Sequence, residues 1–255
     1  LARWQREPPP ENDPPRPQAR AAEAARRLFA MSQPIAGTLA ESYLRNRGID
    51  PACDEGALRF HPRCFYRPDE SLPVETWPAL IVPVTDLEGR ITGVQRTWLD
   101  PDGFDTRRLG KAPIETPRRA MGDVLGNAVR FGIASDVLAA GEGIETVLSL
   151  RTVLPMLPIV AALSANHLAV FRWPATLRRL YVAVDADAAG KEADRALAAR
   201  ATSAGIEAIA LWPGLKDFNE DLRSFGPDGL RESLQTQIVP EDFARFVRAM
   251  PLDAA

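Results

Sequence analysis

Acidic residues stand in three short clusters in the second half of the sequence, and their type and spacing could support chemistry. Glu142 follows an apolar run over residues 136–140, and Asp185 and Asp187 follow another over residues 180–184. Each run is typical of a buried parallel strand and precedes a helical pattern. The third cluster contains Asp217 and Asn219. We therefore expect these side chains to meet at the carboxyl edge of one sheet.

Carboxylates that are crowded together repel one another, and a site that keeps them ionised usually holds a cation between them. Magnesium suits such a site because it takes oxygen ligands, retains waters and is commonly shared with substrate phosphates. The clusters therefore favour phosphoryl or nucleotidyl transfer over redox or acyl chemistry.

The composition permits this interpretation. The chain has 255 residues, 45% hydrophobic residues and a formal net charge of -3, and it is long enough for two compact lobes. No apolar run approaches the roughly 20 residues that cross a bilayer, so we expect no membrane partner. Two cysteines give no disulfide framework and favour a reducing cytoplasm. Because the sequence begins at Leu1 without a leader, we interpret it as part of a longer protein.

Changes in pattern along the chain predict an α/β protein in five segments. Prolines near the start favour an extended linker, and two helical patterns come after it. Short strands and turns follow. Further along, strands alternate with helices, which is typical of a parallel sheet. The predicted segments are a linker (1–20), a helical segment (21–57), a basic antiparallel lobe (58–132), a parallel-sheet domain (133–223) and C-terminal helices (224–255).

The order of the acidic residues resembles a known family. Glu142-Gly143, then Asp185-x-Asp187-x-x-Gly190, then Asp217-x-Asn219 is similar to the Toprim domain shared by bacterial DnaG-type primases, type IA and II topoisomerases and certain nucleases. Upstream, residues 79–96 and 110–113 are similar to the amino-terminal part of the primase polymerase core. The chain resembles most the primase-like Toprim proteins of proteobacterial plasmids and mobile elements.

This resemblance implies a Toprim fold, a Rossmann-like parallel sheet flanked by helices, preceded by a smaller antiparallel α+β lobe and a helical segment. It implies Glu142, Asp185 and Asp187 as catalytic residues, which with Asp217 and Asn219 would hold one or two Mg²⁺ or Mn²⁺ ions. A run of positive charge is ordinarily a solvated face, but the resemblance places much of this one in a template groove. The predicted nucleic-acid or nucleotide-binding residues are Arg96, Arg107, Arg108, Lys111, Arg118, Arg119, Lys191 and Lys216.

The implied activity is that of a DNA primase-like nucleotidyltransferase, which makes short RNA primers in plasmid or mobile-element replication. Its partners would be a single-stranded DNA template, ribonucleoside triphosphates, an upstream zinc-binding domain and a replicative helicase. Thr146 and Asn219 depart from the family pattern, where acids are frequent, and Glu145 could supply the missing charge. A Toprim nuclease that cleaves DNA or RNA, or a catalytically weak DNA-binding module of a mobile element, therefore stays open.

Three other patterns have simpler interpretations. Cys53, His61 and Cys64 match no common zinc spacing and lack a fourth ligand, so a zinc site is not expected. Gly190-Lys191 is not a P-loop, because an aspartate stands where the first glycine belongs. His167 is expected to lie at a helix start, with Ser164 as its cap.

Overall fold

The computed structural model describes residues 17–51, 56–69, 71–105 and 107–247. Most of the predicted linker and Cys53 lie outside these ranges. The first helix, α1, spans Pro17–Met31 and so begins within the segment predicted as linker. The second helix, α2, spans Leu39–Asn46 and lies within the segment predicted as helical. Thr38 caps it through a hydrogen bond that its side chain accepts from the backbone N–H of Ala40.

A five-stranded antiparallel sheet forms the first lobe, as predicted, and its first strand lies between α1 and α2 in the chain. Its strands lie in the order β1-β2-β3-β4-β5. Their bounds are Gln33–Pro34 (β1), Arg59–Tyr66 (β2), Glu75–Thr85 (β3), Ile91–Trp98 (β4) and Arg118–Gly122 (β5). The predicted turn between β3 and β4 is stabilised by Asp86, whose carboxylate accepts hydrogen bonds from the N–H groups of Glu88 and Arg90.

A second five-stranded sheet carries the acidic clusters. Its strands lie in the order β10-β9-β7-β8-β6, and all neighbours are parallel except β6, which pairs antiparallel with β8. The bounds are Val129–Phe131 (β6), Val137–Gly141 (β7), Ile159–Ala161 (β8), Arg179–Ala183 (β9) and Glu207–Leu211 (β10). The two apolar runs predicted as strands, residues 136–140 and 180–184, are confirmed within one residue as β7 and β9, and β6, from the segment predicted as antiparallel lobe, joins this sheet.

Three helices connect the parallel strands, as the alternating pattern predicts: Ile144–Val153 (α3), Ala165–Val170 (α4) and Ala188–Ser203 (α5). Two more, Phe218–Gln235 (α6) and Pro240–Val247 (α7), follow β10. Helix α6 begins in the segment predicted as the parallel-sheet domain, continues into the predicted C-terminal helices, and is kinked at Gly226, where φ is 71°. Proline at the next position cannot donate a backbone hydrogen bond, which favours the break there.

One hydrophobic core runs through both lobes. Tyr43 of α2, Val82 of β3, Val147 of α3 and Phe218 of α6 belong to the same buried cluster. The two sheets therefore share a core, and the loops at the carboxyl edge of the second sheet face residues of the first lobe. Within the described ranges, no helix is long and apolar enough to cross a membrane.

Candidate active site

The carboxyl edge of the parallel sheet brings the predicted acidic residues to one side of the molecule. The last residues of β7 and β9, Gly141 and Ala183, are register partners, so Glu142 and Asp185 leave the sheet at neighbouring positions. Asp187 caps α5 through Gly190 N (2.8 Å), and Asp217 caps α6 through Glu220 N (2.8 Å). Each cap occupies one oxygen of a carboxylate that has two.

The acidic residues are close enough to perturb one another. Burial raises the pKa of Asp185 to about 6, and the negative charges of Glu142, Asp217 and Asp187 add to that effect. Burial and the charge of Asp187 also raise the pKa of Glu142. Thr146, at the position where the family often has an acid, approaches Asp185 with its hydroxyl at 3.5 Å. A cation at this edge would relieve the repulsion among the carboxylates.

The chemistry of these donors fits a hard divalent cation. Among the residues that the structure describes, no three acidic, histidine or cysteine side chains converge closely enough to form a metal site by themselves. Mg²⁺ commonly binds through one or two carboxylates and completes its coordination with water and substrate phosphates. One or two of the carboxylates of Glu142, Asp185, Asp187 and Asp217 would therefore be enough for a cation whose coordination is completed by phosphate oxygens.

Gly190 is required by the backbone of this edge. A Cβ atom at this position would lie 2.5 Å from the carbonyl oxygen of Asp185, closer than real Cβ contacts allow. The glycine therefore lets α5 begin directly against the loop that carries Asp185. Lys191 follows it and is exposed in the first turn of α5.

The prediction that Asn219 binds metal is not supported by its position. Asn219 is 3% exposed, and its amide oxygen accepts a hydrogen bond from Arg47 Nη1 (2.7 Å). Its amide nitrogen donates to the carbonyl oxygen of Arg47 (2.9 Å) and to Ser149 Oγ (3.0 Å). Because these contacts occupy both ends of the amide, Asn219 joins α2, α3 and α6 instead of facing the acidic edge.

Glu145 does not supply negative charge to the acidic edge either. It is 6% exposed and accepts a hydrogen bond from the hydroxyl of Tyr43, and Arg118 Nη1 lies 3.2 Å and Lys111 Nζ 3.9 Å from its carboxylate. Although burial acts in the opposite direction, the positive charges of Arg118, Lys111 and Arg47 hold the pKa of Glu145 well below its usual range. Glu145 therefore anchors basic residues beside the site.

Sequence analysis did not identify Tyr43 and Arg47 as residues of the site. Their contacts with Glu145 and Asn219 join residues 102 and 172 positions apart in the chain. Arg47 also lies over the ring of Tyr43, 4.9 Å from its centroid. The helical periodicity of α2 predicts that Tyr43 is buried, but it contains no signal for these distant polar partners.

A basic cleft of about 660 Å³ lies beside Asp217. The basic residues that line this basic cleft are Arg47, Arg107, Arg108, Lys111 and Lys216. A tight turn presents Lys111, since Leu109 and Gly110 both have positive φ (52° and 86°). Burial, as the largest effect, lowers the pKa of Lys111 to about 8. Four of the predicted binding residues are thus brought together next to the acidic edge.

The other predicted basic residues divide between the two faces of the antiparallel sheet. Arg118 lies beside Glu145, on the face toward the acidic edge. Arg119 is the register partner of Arg96, and because side chains alternate along a strand, both lie on the opposite face from Arg118. There they line a separate cavity of about 430 Å³ with Arg67 and Phe65. Arg96 and Arg119 therefore lie apart from the basic cleft, and their role in binding nucleic acid or nucleotide stays a prediction.

The residues with simpler interpretations are placed largely as expected. His61 lies in β2, and Cys64 is buried on the same strand. Ser164 caps α4 by accepting a hydrogen bond from His167 N (3.2 Å), which confirms the predicted helix start. Leu163, just before this cap, has a φ of 78°, and its N–H donates to the carbonyl oxygen of Glu142 (2.8 Å).

Comparison with known families and structures agrees with this geometry. Residues 137–228 match the model of the Toprim domain, and residues 19–131 match the model of a domain of unknown function, DUF7146. Residues 137–228 are therefore a Toprim domain, and the resemblance inferred from the sequence is confirmed. A comparison with curated proteins found no match.

Solved structures of primases share the fold over most of this chain. A DNA primase domain from Pseudomonas aeruginosa matches with a TM-score of 0.57 and 16% identity, over 85% of this chain and 78% of that one. A DnaG primase catalytic domain bound to single-stranded DNA matches with a TM-score of 0.56 and 17% identity, over 88% and 80%. The Aquifex aeolicus primase, with its zinc-binding and RNA polymerase domains, matches with a TM-score of 0.56 and 17% identity, over 84% and 60%.

Residues 137–228 thus match the Toprim domain, and the chain has the fold of the primase catalytic core. It spans 60% of the length of the Aquifex aeolicus structure, which contains a zinc-binding domain as well. At these identities, the likeness concerns the fold, and the chemistry has to be argued from the site.

Proposed function

We propose that this protein is a metal-dependent, primase-like nucleotidyltransferase that synthesises short RNA primers on single-stranded DNA. The observation that carries the proposal is the position of the acidic edge directly beside the basic cleft, with Asp217 lining the cleft. A nucleoside triphosphate needs both surfaces, because its phosphates bind cations of the protein and a metal ion at once. Redox or acyl chemistry would need neither.

The basic cleft would bind the triphosphate of the incoming nucleotide. Lys111 and Lys216 provide ammonium groups, and Arg107 provides an exposed guanidinium for phosphate oxygens. Glu145 keeps Lys111 in place through its buried carboxylate. Arg108 is already engaged by Asp100 (2.7 Å) and Asp105 (2.9 Å), so its main effect is to order the loop that carries Lys111.

The acidic edge would hold Mg²⁺ or Mn²⁺ through Glu142, Asp185, Asp187 and Asp217. The bound cation would neutralise phosphate charge and lower the pKa of the attacking 3'-hydroxyl. In the reaction, the 3'-oxygen bonds to the α-phosphorus, the bond from the α-phosphorus to the bridging oxygen breaks, and pyrophosphate leaves. Glu142 is the carboxylate that would receive the hydroxyl proton.

The biological setting proposed from the sequence is plasmid or mobile-element replication in the cytoplasm. The solved relatives support the kinds of partner expected. One is described as bound to single-stranded DNA, one includes a zinc-binding domain, and another is the primase fragment of the bacteriophage T7 primase-helicase protein. We propose the same classes of partner here: a template, ribonucleoside triphosphates, a zinc-binding domain and a helicase.

The test is RNA synthesis on single-stranded DNA with four labelled ribonucleotides and Mg²⁺ or Mn²⁺, read on a sequencing gel. Wild type should yield short RNA products, and Glu142→Gln and Asp185→Asn should yield none. Glu232→Gln and Asp228→Asn change exposed acids on α6, away from the edge, and should retain wild-type yield. Metal-dependent shortening of the DNA without RNA synthesis would instead indicate a nuclease, and neither product would indicate a DNA-binding module.

A further inference from the structure

Another cavity, not yet described, lies on the other side of Glu142 from the basic cleft. Along the sheet edge, Asp217 follows β10, Asp185 follows β9 and Glu142 follows β7, whereas Ser164 follows β8 at the far end. The cavity has a volume of about 220 Å³, and we call it the Gln95 pocket. Its lining residues include Gln95, Arg118, Gly143, Leu163, Ser164 and His167.

Two side chains of the Gln95 pocket lack partners. Gln95 is 7% exposed, and its side chain makes no hydrogen bond to any residue in the described ranges. His167 Nδ1 is buried and has no partner in the same ranges. Native proteins seldom leave a buried polar atom without a partner. This nitrogen, together with the side chain of Gln95 at the same cavity, indicates a polar ligand beside the acidic edge.

The pocket also offers positive charge, but less than the basic cleft. Arg118 is its cation, and the guanidinium lies 3.9 Å from where a Cβ atom of Gly143 would stand. Gly143 cannot cap α3 with a side chain, so a ligand can approach the backbone of that helix start closely. One cation suits a single phosphodiester, whereas the several cations of the basic cleft suit a triphosphate.

We propose that the Gln95 pocket binds the terminal ribonucleotide of the RNA strand that accepts the incoming nucleotide. Arg118 contacts its phosphodiester, and Gln95 and His167 hydrogen-bond its ribose hydroxyls. The inference rests on the proposed function, because that strand is the second substrate of the same reaction. Both side chains can donate and accept, which matches a hydroxyl, and the 2'-hydroxyl is what distinguishes RNA from DNA.

Binding can be tested without catalysis, because the chain has only two histidines. The Hε1 proton resonances of His61 and His167 are assigned by comparison with His167→Gln and followed by NMR. A 5'-phosphorylated diribonucleotide, added with and without Mg²⁺, should shift the His167 signal saturably and leave His61 unmoved. The matching DNA dinucleotide, which lacks the 2'-hydroxyls, should bind about fivefold more weakly. This factor is the effect of one neutral hydrogen bond of about 1 kcal/mol.

Gln95→Met, which keeps the length of the side chain, should abolish the preference for the ribonucleotide while the thermal unfolding of the protein stays cooperative. His167→Asn is the second variant and should lower the preference as well. An unshifted His167 signal, or an equal response to inorganic phosphate alone, would overturn the proposal. Equal binding of the two dinucleotides would overturn the assignment of the ribose contacts.

Kinetics separate this inference from the proposed function. On a primed template, Gln95→Met should raise the KM for an RNA primer about fivefold and leave the KM for the nucleotide unchanged. Lys216→Ala should raise the KM for the nucleotide and leave the KM for the primer unchanged. If wild type makes no RNA but the His167 signal shifts with the dinucleotide, the primase proposal is wrong and the binding role of the Gln95 pocket is supported. If RNA is made with unchanged KM values and an unshifted His167, the pocket assignment fails and the primase proposal stands.

Discussion

Lys111 shows how the environment of one residue sets the conditions under which the site binds phosphate. Its side chain is 22% exposed, and burial lowers its pKa to about 8, with the charges of Arg118 and Arg47 acting in the same direction. The charges of Glu145 and Asp217 oppose that shift. The ammonium form therefore predominates below about pH 8 and is lost as the pH rises through that value.

We expect nucleotide binding to weaken with that loss of charge. The dissociation constant for ATP, measured by calorimetry between pH 7 and pH 9.5, should rise about tenfold in wild type, because one charge-assisted hydrogen bond is lost. Lys111→Arg keeps its charge over this range, so its dissociation constant should stay nearly flat. The same pH dependence in both proteins would contradict the role of Lys111.

Sequence reasoning reached the acidic residues but not their partners. Asp185 and Glu142 follow apolar strands, and the geometry of a parallel sheet then brings them to one edge. Glu145 is three residues from Glu142, but one turn of helix directs it toward Tyr43 and Arg118. The direction of a side chain on a helix follows from packing against distant elements, which no local pattern encodes.

At the scale of elements, the amide of Asn219 joins three helices. Its oxygen accepts a hydrogen bond from Arg47 at the end of α2, and its nitrogen donates one to Ser149 of α3. Asn219 itself lies near the start of α6. Asn219→Asp would remove both donated hydrogen bonds and place a carboxylate oxygen near the carbonyl oxygen of Arg47. The lost contacts should lower the free energy of unfolding by roughly 1–3 kcal/mol, although the new charge lies near a guanidinium.

The variant also tests whether Asn219 is a metal ligand. Urea denaturation should show the lower stability, and titration with Mn²⁺ by electron paramagnetic resonance should show no tighter binding than wild type. Asp228→Asn, an exposed change on α6, serves as the control for both measurements. Tighter Mn²⁺ binding at unchanged stability would mean that residue 219 faces the metal after all.

Some elements could not be derived from their own sequences. The strand β5, Arg118–Gly122, has two arginines, an alanine, a methionine and a glycine, so it lacks the apolar alternation of a strand. It forms because β4 offers an open edge. Its register then decides that Arg118 and Arg119 lie on opposite faces, a one-residue difference that pattern reasoning could not resolve.

At the scale of the whole molecule, the basic residues define which face nucleic acid should follow. Arg107 lines the basic cleft beside the acidic edge, whereas Arg119 lies on the far face of the antiparallel sheet with Arg96. If the template passes the acidic edge, Arg107→Ala should weaken binding of single-stranded DNA and reduce the slope of log K against log salt by about 0.7. Arg119→Ala should leave both quantities unchanged.

Fluorescence anisotropy of a labelled oligonucleotide over a range of NaCl concentrations measures both variants. An equal loss for Arg119→Ala would mean that the far face also contacts the strand. A loss for Arg119→Ala alone would place the template on that face and contradict a path of the template along the acidic edge.

The central claim is that the acidic edge and the basic cleft together transfer a nucleotide and release pyrophosphate. The most direct measurement is pyrophosphate release, followed with an enzyme-coupled assay in the presence of single-stranded DNA, four ribonucleotides and Mg²⁺. We expect one pyrophosphate for each nucleotide incorporated by wild type, and none for Asp185→Asn. Release of inorganic phosphate in place of pyrophosphate, or undiminished release by Asp185→Asn, would contradict the claim.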